Sequence, residues 1–529
     1  MAKVPTFLRE ATGLVRTFSW YDALILSLAV TGPTLFGISS MEGYVYPAGI
    51  GSNLVIASII GFFFMIPLGL AYYIFSTQMP RSGGDYIWLG RSLHPVIGFV
   101  GGWAMFLSFI LLLASAMTTE AYVVIPNFAV SLGYAWSNSG LVTWGQNFVS
   151  GSASAVNLTV FAVTMLSILI STAIISFGPK LYSHIMILLG AIIFVATFIF
   201  IGGYLFATPS SFASGLSAMT NGGTTVNGTI SAAAKSGAAY VPITWSATLF
   251  AVPFGVLLFN GFNYSAYIGG EVKNPKRSQL WGILIALAIC GVLDITGVYA
   301  VLQAQTYPFA QAAFALAGTG SFSMGVTPWA PVFIQAVIAN PYLVSIVAFG
   351  FLIFNIWWAS GLLLTATRYV FAFSFDRIFP TAFADINPRF HFPLKATVLT
   401  LLLAAVFTFV TIYTSYFSQL VNVVTIWTIV WVMIGVSGIV LPFWRKNLAQ
   451  GLPGGRWLLP VFGFLTILGM GVTFYWSATM PSIGAVGPFA SAFIVVIFAL
   501  AVVIYAIRYY YFKGKGLDIT TTLKEIPPE

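Results

Sequence analysis

Apolar runs long enough for a helix to cross the ~30 Å hydrocarbon core of a bilayer recur from one end of this sequence to the other. Twelve are read: Asp22–Met41, Asn53–Phe75, Val96–Val123, Thr159–Phe177, Leu181–Phe206, Ile243–Ile268, Leu280–Leu302, Leu343–Thr367, Ala396–Tyr413, Val421–Leu441, Trp457–Trp476 and Phe489–Ile507. Barrel strands alternate over about ten residues, so runs this long and uniform point to helices. The expected fold class is an all-α membrane protein with 12 transmembrane helices. Of the 529 residues, 59% are hydrophobic and only 6% are charged. So few charges cannot coat a water-soluble surface, where about a quarter of residues are usually charged. A soluble enzyme, a disordered chain and a nucleic-acid binder are excluded together.

The net charge of +9 then concerns orientation. With the N-terminus placed inside, the inner segments hold Lys3, Arg9 and Arg16; Arg81 and Arg91; Lys180; Lys273, Lys276 and Arg277; Arg368, Arg377, Arg389 and Lys395; Arg445, Lys446 and Arg456; and Arg508, Lys513, Lys515 and Lys524. Of the 21 basic residues only Lys235 falls outside. A miscounted span would scramble this pattern, so both termini are expected in the cytoplasm and the chain in the plasma membrane. The outer segments Pro126–Asn157, Ala207–Pro242 and Gln303–Tyr342 are nearly uncharged and read as loops. Two sequons, at Asn157 and Asn227, fall on that side and leave glycosylation open. The first residues do not read as a cleavable signal peptide. Cys290 stands alone, and His94, His184 and His391 are scattered, so no disulfide, metal or other cofactor is expected.

Two spans contain residues that break helices. Span one reads Thr31-Gly32-Pro33-Thr34, and span six reads Phe259-Asn260-Gly261-Phe262-Asn263. Proline removes a backbone hydrogen bond and clashes with the preceding turn. If spans one to five and six to ten form a 5+5 inverted repeat, the two breaks occupy equivalent places. Paired discontinuous helices at the membrane midplane point to a transporter's binding site. Freed N–H groups would take a carboxylate, and freed carbonyls an ammonium or a cation.

Several motifs resemble those of the amino acid–polyamine–organocation (APC) superfamily. Pro80-Arg-Ser82-Gly83-Gly84-Asp85-Tyr86 follows span two, and Gly98-Phe-Val-Gly-Gly102-Trp103 opens span three. Glu271-Val-Lys273-Asn274-Pro275-Lys-Arg277 ends span six, and Arg368-Tyr-Val-Phe-Ala372 with Asp376, Pro380, Phe383, Asn387 and Pro393 follows span eight. The resemblance covers spans one to ten. It implies a permease for amino acids or related amines with the inverted-repeat fold, in which spans one, two, six and seven move against spans three, four, eight and nine. There are departures. Gly32-Pro33-Thr34 stands where the family has G-S-G, and its proline removes one N–H from the carboxylate grip. Phe375 and Arg377 replace the usual Arg and Gly, and span five has no lysine after Lys180.

The expected substrate site comprises Thr31, Gly32, Pro33, Thr34, Phe259, Asn260, Gly261 and Asn263. Trp357 and Trp358 are gate candidates against a background of fifteen tryptophans. Asp294 in span seven and Glu120 in span three are the coupling candidates, since a carboxylate within a span is costly when ionised. Ser360 and Asn355 are weaker candidates for a sodium site. Asp22, Asp85, Glu271 and Asp376 are read as ion pairs of the inner mouth. Residues 1–21 form the N-terminal segment, 22–443 the transport core, 444–510 the last two spans and 511–529 the tail. The expected partners are the lipid bilayer, a neutral amino acid or amine, and a proton or a sodium ion. Sodium coupling, exchange, and a transport-inactive receptor remain alternatives, and oligomeric state is not legible.

Overall fold

In the lipid core each backbone N–H and C=O has to be satisfied within its own segment, which leaves helices as the solution for apolar runs of this length. A computed structural model describes residues 14, 16–32, 37–47, 51–238, 240–414, 421–479 and 488–522. Its principal helices are α1 (Trp20–Thr31), α2 (Gly37–Val45), α3 (Leu54–Gln78), α4 (Asp85–Ser92), α5 (Pro95–Ala135), α6 (Ala153–Ser176), α7 (Pro179–Leu205), α8 (Trp245–Leu258), α9 (Pro275–Gln305), α10 (Tyr307–Gly318), α11 (Pro341–Phe375), α12 (Leu394–Tyr413), α13 (Val421–Trp444), α14 (Gly455–Thr479) and α15 (Pro488–Lys513). Among the described residues, ten helices are long and apolar enough to cross a membrane, and α1 and α8 are shorter apolar helices. Those two shortfalls coincide with the spans expected to be broken. β-Structure among the described residues is limited to isolated bridges such as Phe18 with Val272 and Ser82 with Ile268.

Helix ends follow local chemistry. Pro95, Pro179, Pro275 and Pro341 each open a helix, where the missing N–H costs nothing. Asn53 and Asn340 accept hydrogen bonds from the first free N–H groups of α3 and α11. The segments expected as outer loops hold additional short helices at Ser139–Gln146, Pro209–Met219 and Val226–Lys235, together with α10. Thr208 and Thr225 cap two of them, so alanine- and serine-rich stretches that lack a long apolar run still close helical turns. Helix α5 also runs past its expected end, through a π turn at Glu120–Val124.

The centre of the bundle is α5, whose most apolar stretch is 89% buried, against 17% for α15. Large apolar side chains such as Leu188, Phe198, Val292, Val406 and Ile507 face outward. Elsewhere small residues bring backbones together. A Cβ on Gly61 of α3 would lie 2.4 Å from the Gly255 carbonyl carbon of α8, and one on Gly255 would lie 2.3 Å from the Ala57 oxygen. A similar contact joins α13 and α14, where a Cβ on Gly463 would lie 2.5 Å from the Gly435 oxygen. Close backbone approach through small residues is how helices associate where lipid offers no hydrophobic drive.

Candidate functional site

Gly32 ends α1 in the left-handed region at φ 76°, and helix resumes at Gly37 in α2. Pro33 and Thr34 lie outside the described residues. Helix α8 stops at Leu258 and is followed by turns and a short 3-10 segment at Tyr264–Tyr267. The two interruptions face each other. A Cβ on Gly261, at φ 108°, would sit 2.4 Å from the Thr31 nitrogen, and one on Gly37 would sit 2.4 Å from a Leu258 methyl. Only glycine fits such a contact between two main chains.

A small cavity of about 80 Å³ adjoins this crossing. Its walls are Val30, Thr31 and Gly32 of the first break, Gly37, Ser40, Met41 and Tyr44 of α2, Leu112, Ala116 and Thr119 of α5, Phe254, Leu257, Leu258 and Asn260 of the second break, and Phe354 and Trp358 of α11. The described lining is mostly apolar and holds no carboxylate or basic group. Helix polarity adds direction: α1 and α8 turn their C-terminal carbonyls toward the break, and α2 turns its N-terminal N–H groups toward it.

The expected residues divide between wall and frame. Thr31, Gly32, Asn260 and Trp358 line the cavity. The Thr31 hydroxyl donates to the Ser27 carbonyl at 2.8 Å. Asn260 is buried, and its Oδ1 has no donor among the described residues. Phe259 packs edge-on against Phe62, away from the lining. Asn263 donates to the Tyr267 hydroxyl at 3.3 Å, below the cavity. Trp357 is fully buried and donates its indole N–H to the Met186 carbonyl of α7 at 2.9 Å. The Ser360 hydroxyl donates to the Ile356 carbonyl of its own helix at 2.7 Å.

Glu120 and Asn355, assigned to different roles by the sequence, meet: the Asn355 amide donates to Glu120 Oε2 at 2.7 Å. Glu120 begins the π turn of α5, a distortion that often accompanies function. Asp294 lies beside the break in span one, its Oδ1 3.8 Å from where a Gly37 Cβ would be. Cys290, one turn earlier on α9, touches the Thr31 hydroxyl.

At the end of the bundle that holds the described chain termini, two buried networks tie helices together. Arg368 of α11 grips Glu271 through two bonds of 2.5 and 2.7 Å and stacks on Phe392 at 4.6 Å. Asp85, expected to pair with basic residues, is instead held by hydroxyls of Tyr72 from α3 at 3.1 Å, Tyr267 at 3.0 Å, and Tyr369 from α11. Burial pushes its carboxyl up to about 6, against the opposite pull of the hydroxyl bonds. Asp376 takes the Tyr86 hydroxyl, and Asp22 accepts from Ser19 and Ser183. At the opposite end, Ser39 of α2 accepts from the Ala330 N–H, and Tyr204 donates to the Ala330 carbonyl. Glu42 of α2 is fully buried there. Sequence reasoning passed over Glu42, one residue beyond the apolar run, and the three tyrosines, whose spacing carries no signal.

A family model described as amino acid permease matches residues 18–507. The chain is 25% identical over 411 residues to a methylthioribose transporter of Bacillus subtilis (strain 168), covering 75% of each chain. It is 22% identical over 388 residues to the branched-chain amino acid permease BcaP of the same organism, covering 73% of this chain and 72% of that one. It is also 24% identical over 389 residues to the glutamate/serine transporter AimA of that organism, covering 71% of this chain and 63% of that one.

Proposed function

Because the chain belongs to the amino acid permease family, we propose that it is a secondary active transporter moving a neutral amino acid, or a related amine, across the plasma membrane by alternating access. The observation that carries this reading is the cavity enclosed where the two interrupted helices cross. The ammonium of the substrate rests against the carbonyl ends of α1 and α8 and the Asn260 oxygen. Its carboxylate meets the first N–H groups of α2. Its side chain lies among Met41, Leu112, Phe254, Phe354 and Trp358. An apolar wall without a counter-charge favours an uncharged side chain, because an unpaired charge there is costly. No covalent step is involved.

The ten long helices, with the two interrupted ones, support twelve spans and the inverted repeat over residues 22–443. Span seven carries Asp294 beside the substrate break, which supports proton coupling through that carboxylate. The basic residues gathered around the described termini support a cytoplasmic location for both ends.

Uptake into proteoliposomes tests the reading with leucine, valine, serine, glutamate, a diamine and methylthioribose, under a pH or a sodium gradient. The expected result is accumulation of an apolar amino acid driven by the pH gradient, with Asp294→Asn abolishing accumulation but retaining exchange. Preferred uptake of methylthioribose would reassign the substrate. Accumulation driven by sodium alone would overturn proton coupling, and no uptake of any compound would favour a receptor role.

A further inference from the structure

Glu42 is a membrane-embedded carboxylate to which the preceding reading gives no task. It lies in α2, the half of span one beyond the break, with no exposed surface. Neither carboxyl oxygen has a hydrogen-bond donor among the described residues. The hydroxyls in its electrostatic reach are those of Tyr46, Tyr204 and Tyr307. Two of them are committed elsewhere: Tyr204 donates to the Ala330 carbonyl at 2.7 Å, and Tyr307 donates to Asn53 Oδ1 at 2.9 Å. Tyr240 lies beyond them, against Tyr46 and Tyr307. On α9 the ionisable group toward α2 is Asp294, near Gly37. α8, α10 and the Ala330–Val337 segment, which also pack on or near α2, contribute no lysine, arginine or histidine.

An ionised carboxylate in such a place forfeits its hydration and receives no counter-charge in return. The neutral acid is the form these surroundings accept. What seals it is the packing of α2 beneath the loop-end cover: Ser39 accepts from Ala330 N–H, the Gly43 backbone lies against the Trp329 indole, and the Tyr46 ring packs on Phe314 of α10. Separation of α2 from this cover would expose the carboxyl to water.

We propose that Glu42 is a proton-binding site of the outer gate, loaded while α2 is packed beneath its cover and exchanging with the external solution when α2 swings away. The assignment rests on the transport reading for its direction, and on the burial of Glu42 alone for its protonation. External protons then favour closure over the bound substrate, and release at high external pH favours opening.

Two readouts separate the proposal from the transport reading. In purified protein at neutral pH, infrared difference spectra of wild type against Glu42→Gln should lose one protonated-carboxyl band; a missing carboxylate band instead would overturn the proposal. In proteoliposomes, one pH unit supports roughly tenfold accumulation per coupled proton. Glu42→Gln should leave the accumulation coupled through Asp294 in place but flatten the external-pH dependence of counterflow, while counterflow itself persists. Glu42→Asp should retain the pH dependence. Unchanged pH dependence of counterflow in Glu42→Gln, with the variant folded by gel filtration, would also overturn the proposal. If wild type transports none of the compounds, the transport reading fails, and the infrared band still decides the proton site.

Discussion

Replacing Gly261 by alanine tests whether the crossing of the two interrupted helices is as tight as described. The added methyl would lie 2.4 Å from the Thr31 nitrogen and 2.5 Å from the Val30 carbonyl carbon. Ordinary Cβ contact begins at 3.4 Å, so the two main chains have to part by about 1 Å. Neither obstacle is a flexible side-chain tip. Overpacking of a close contact costs roughly 1–3 kcal/mol. The positive φ of 108° adds strain of roughly 1–3 kcal/mol for a residue with a side chain. The sum, about 2–6 kcal/mol, rivals the few kcal/mol that separate conformations of a working protein. Two further glycines isolate the terms. Gly222 has φ 78° and nothing within 4 Å of its Cβ position, so Gly222→Ala reports the backbone term alone. Gly202 lies within α7 with neither a clash nor a positive φ, so Gly202→Ala should be neutral or stabilising by up to about 1 kcal/mol. Thermal unfolding in detergent and initial uptake rates should rank the variants Gly202→Ala, Gly222→Ala, Gly261→Ala, with uptake lost only in the last. The reasoning is refuted if Gly261→Ala transports like wild type, or melts no lower than Gly222→Ala.

Removing the partner of Glu271 by Arg368→Met strands a buried charge and should cost about 3–5 kcal/mol of stability. The double variant Arg368→Met/Glu271→Gln should recover part of this in the same unfolding assay, and simple additivity would deny the coupling. For Asp85 the folded value of about 6 lies above the ordinary 3.8. The folded state therefore takes the proton first as pH falls through 6, and stability rises by about 1 kcal/mol between pH 7 and pH 5. Asp85→Asn should flatten that slope, and an unchanged slope would assign the effect elsewhere. Trp358→Ala should deepen the cavity and shift uptake toward bulkier side chains, whereas Trp357→Ala should lower the melting temperature without changing selectivity. Competition assays and melts on both variants distinguish these outcomes.

The spans were legible because lipid demands a fixed helical length, and the breaks because Gly32-Pro33 and Asn260-Gly261 oppose helix in a setting that otherwise enforces it. Which residues of a helix face the cavity was less legible. Trp357 and Trp358 are adjacent, yet about 100° of helical rotation sends one toward α7 and the other toward the cavity. Phe259 and Asn260 part as well, in the turn after α8: one ring packs on Phe62 and the neighbouring amide lines the cavity. Asn355 reads as a cation ligand by its oxygen, but Glu120, more than two hundred residues away in sequence, claims its nitrogen. The tyrosines around Asp85 come from α3, α11 and the segment after α8, a convergence that no local spacing records. Glu42 was hidden by a boundary drawn at Met41, because an acidic residue at the edge of an apolar run reads as the start of a loop.

The glycine contact between α3 and α8 acts mechanically as a rivet. Main chains held this closely have no compressible side chains between them, so the two helices tilt as one lever. The arm of that lever reaches from the wall of the cavity, at Leu257 and Leu258, to Tyr72 on α3. A swing of α8 carried through this contact would shift the Tyr72 hydroxyl relative to Asp85. A rigid link of this kind would make the two ends of the bundle respond together rather than independently.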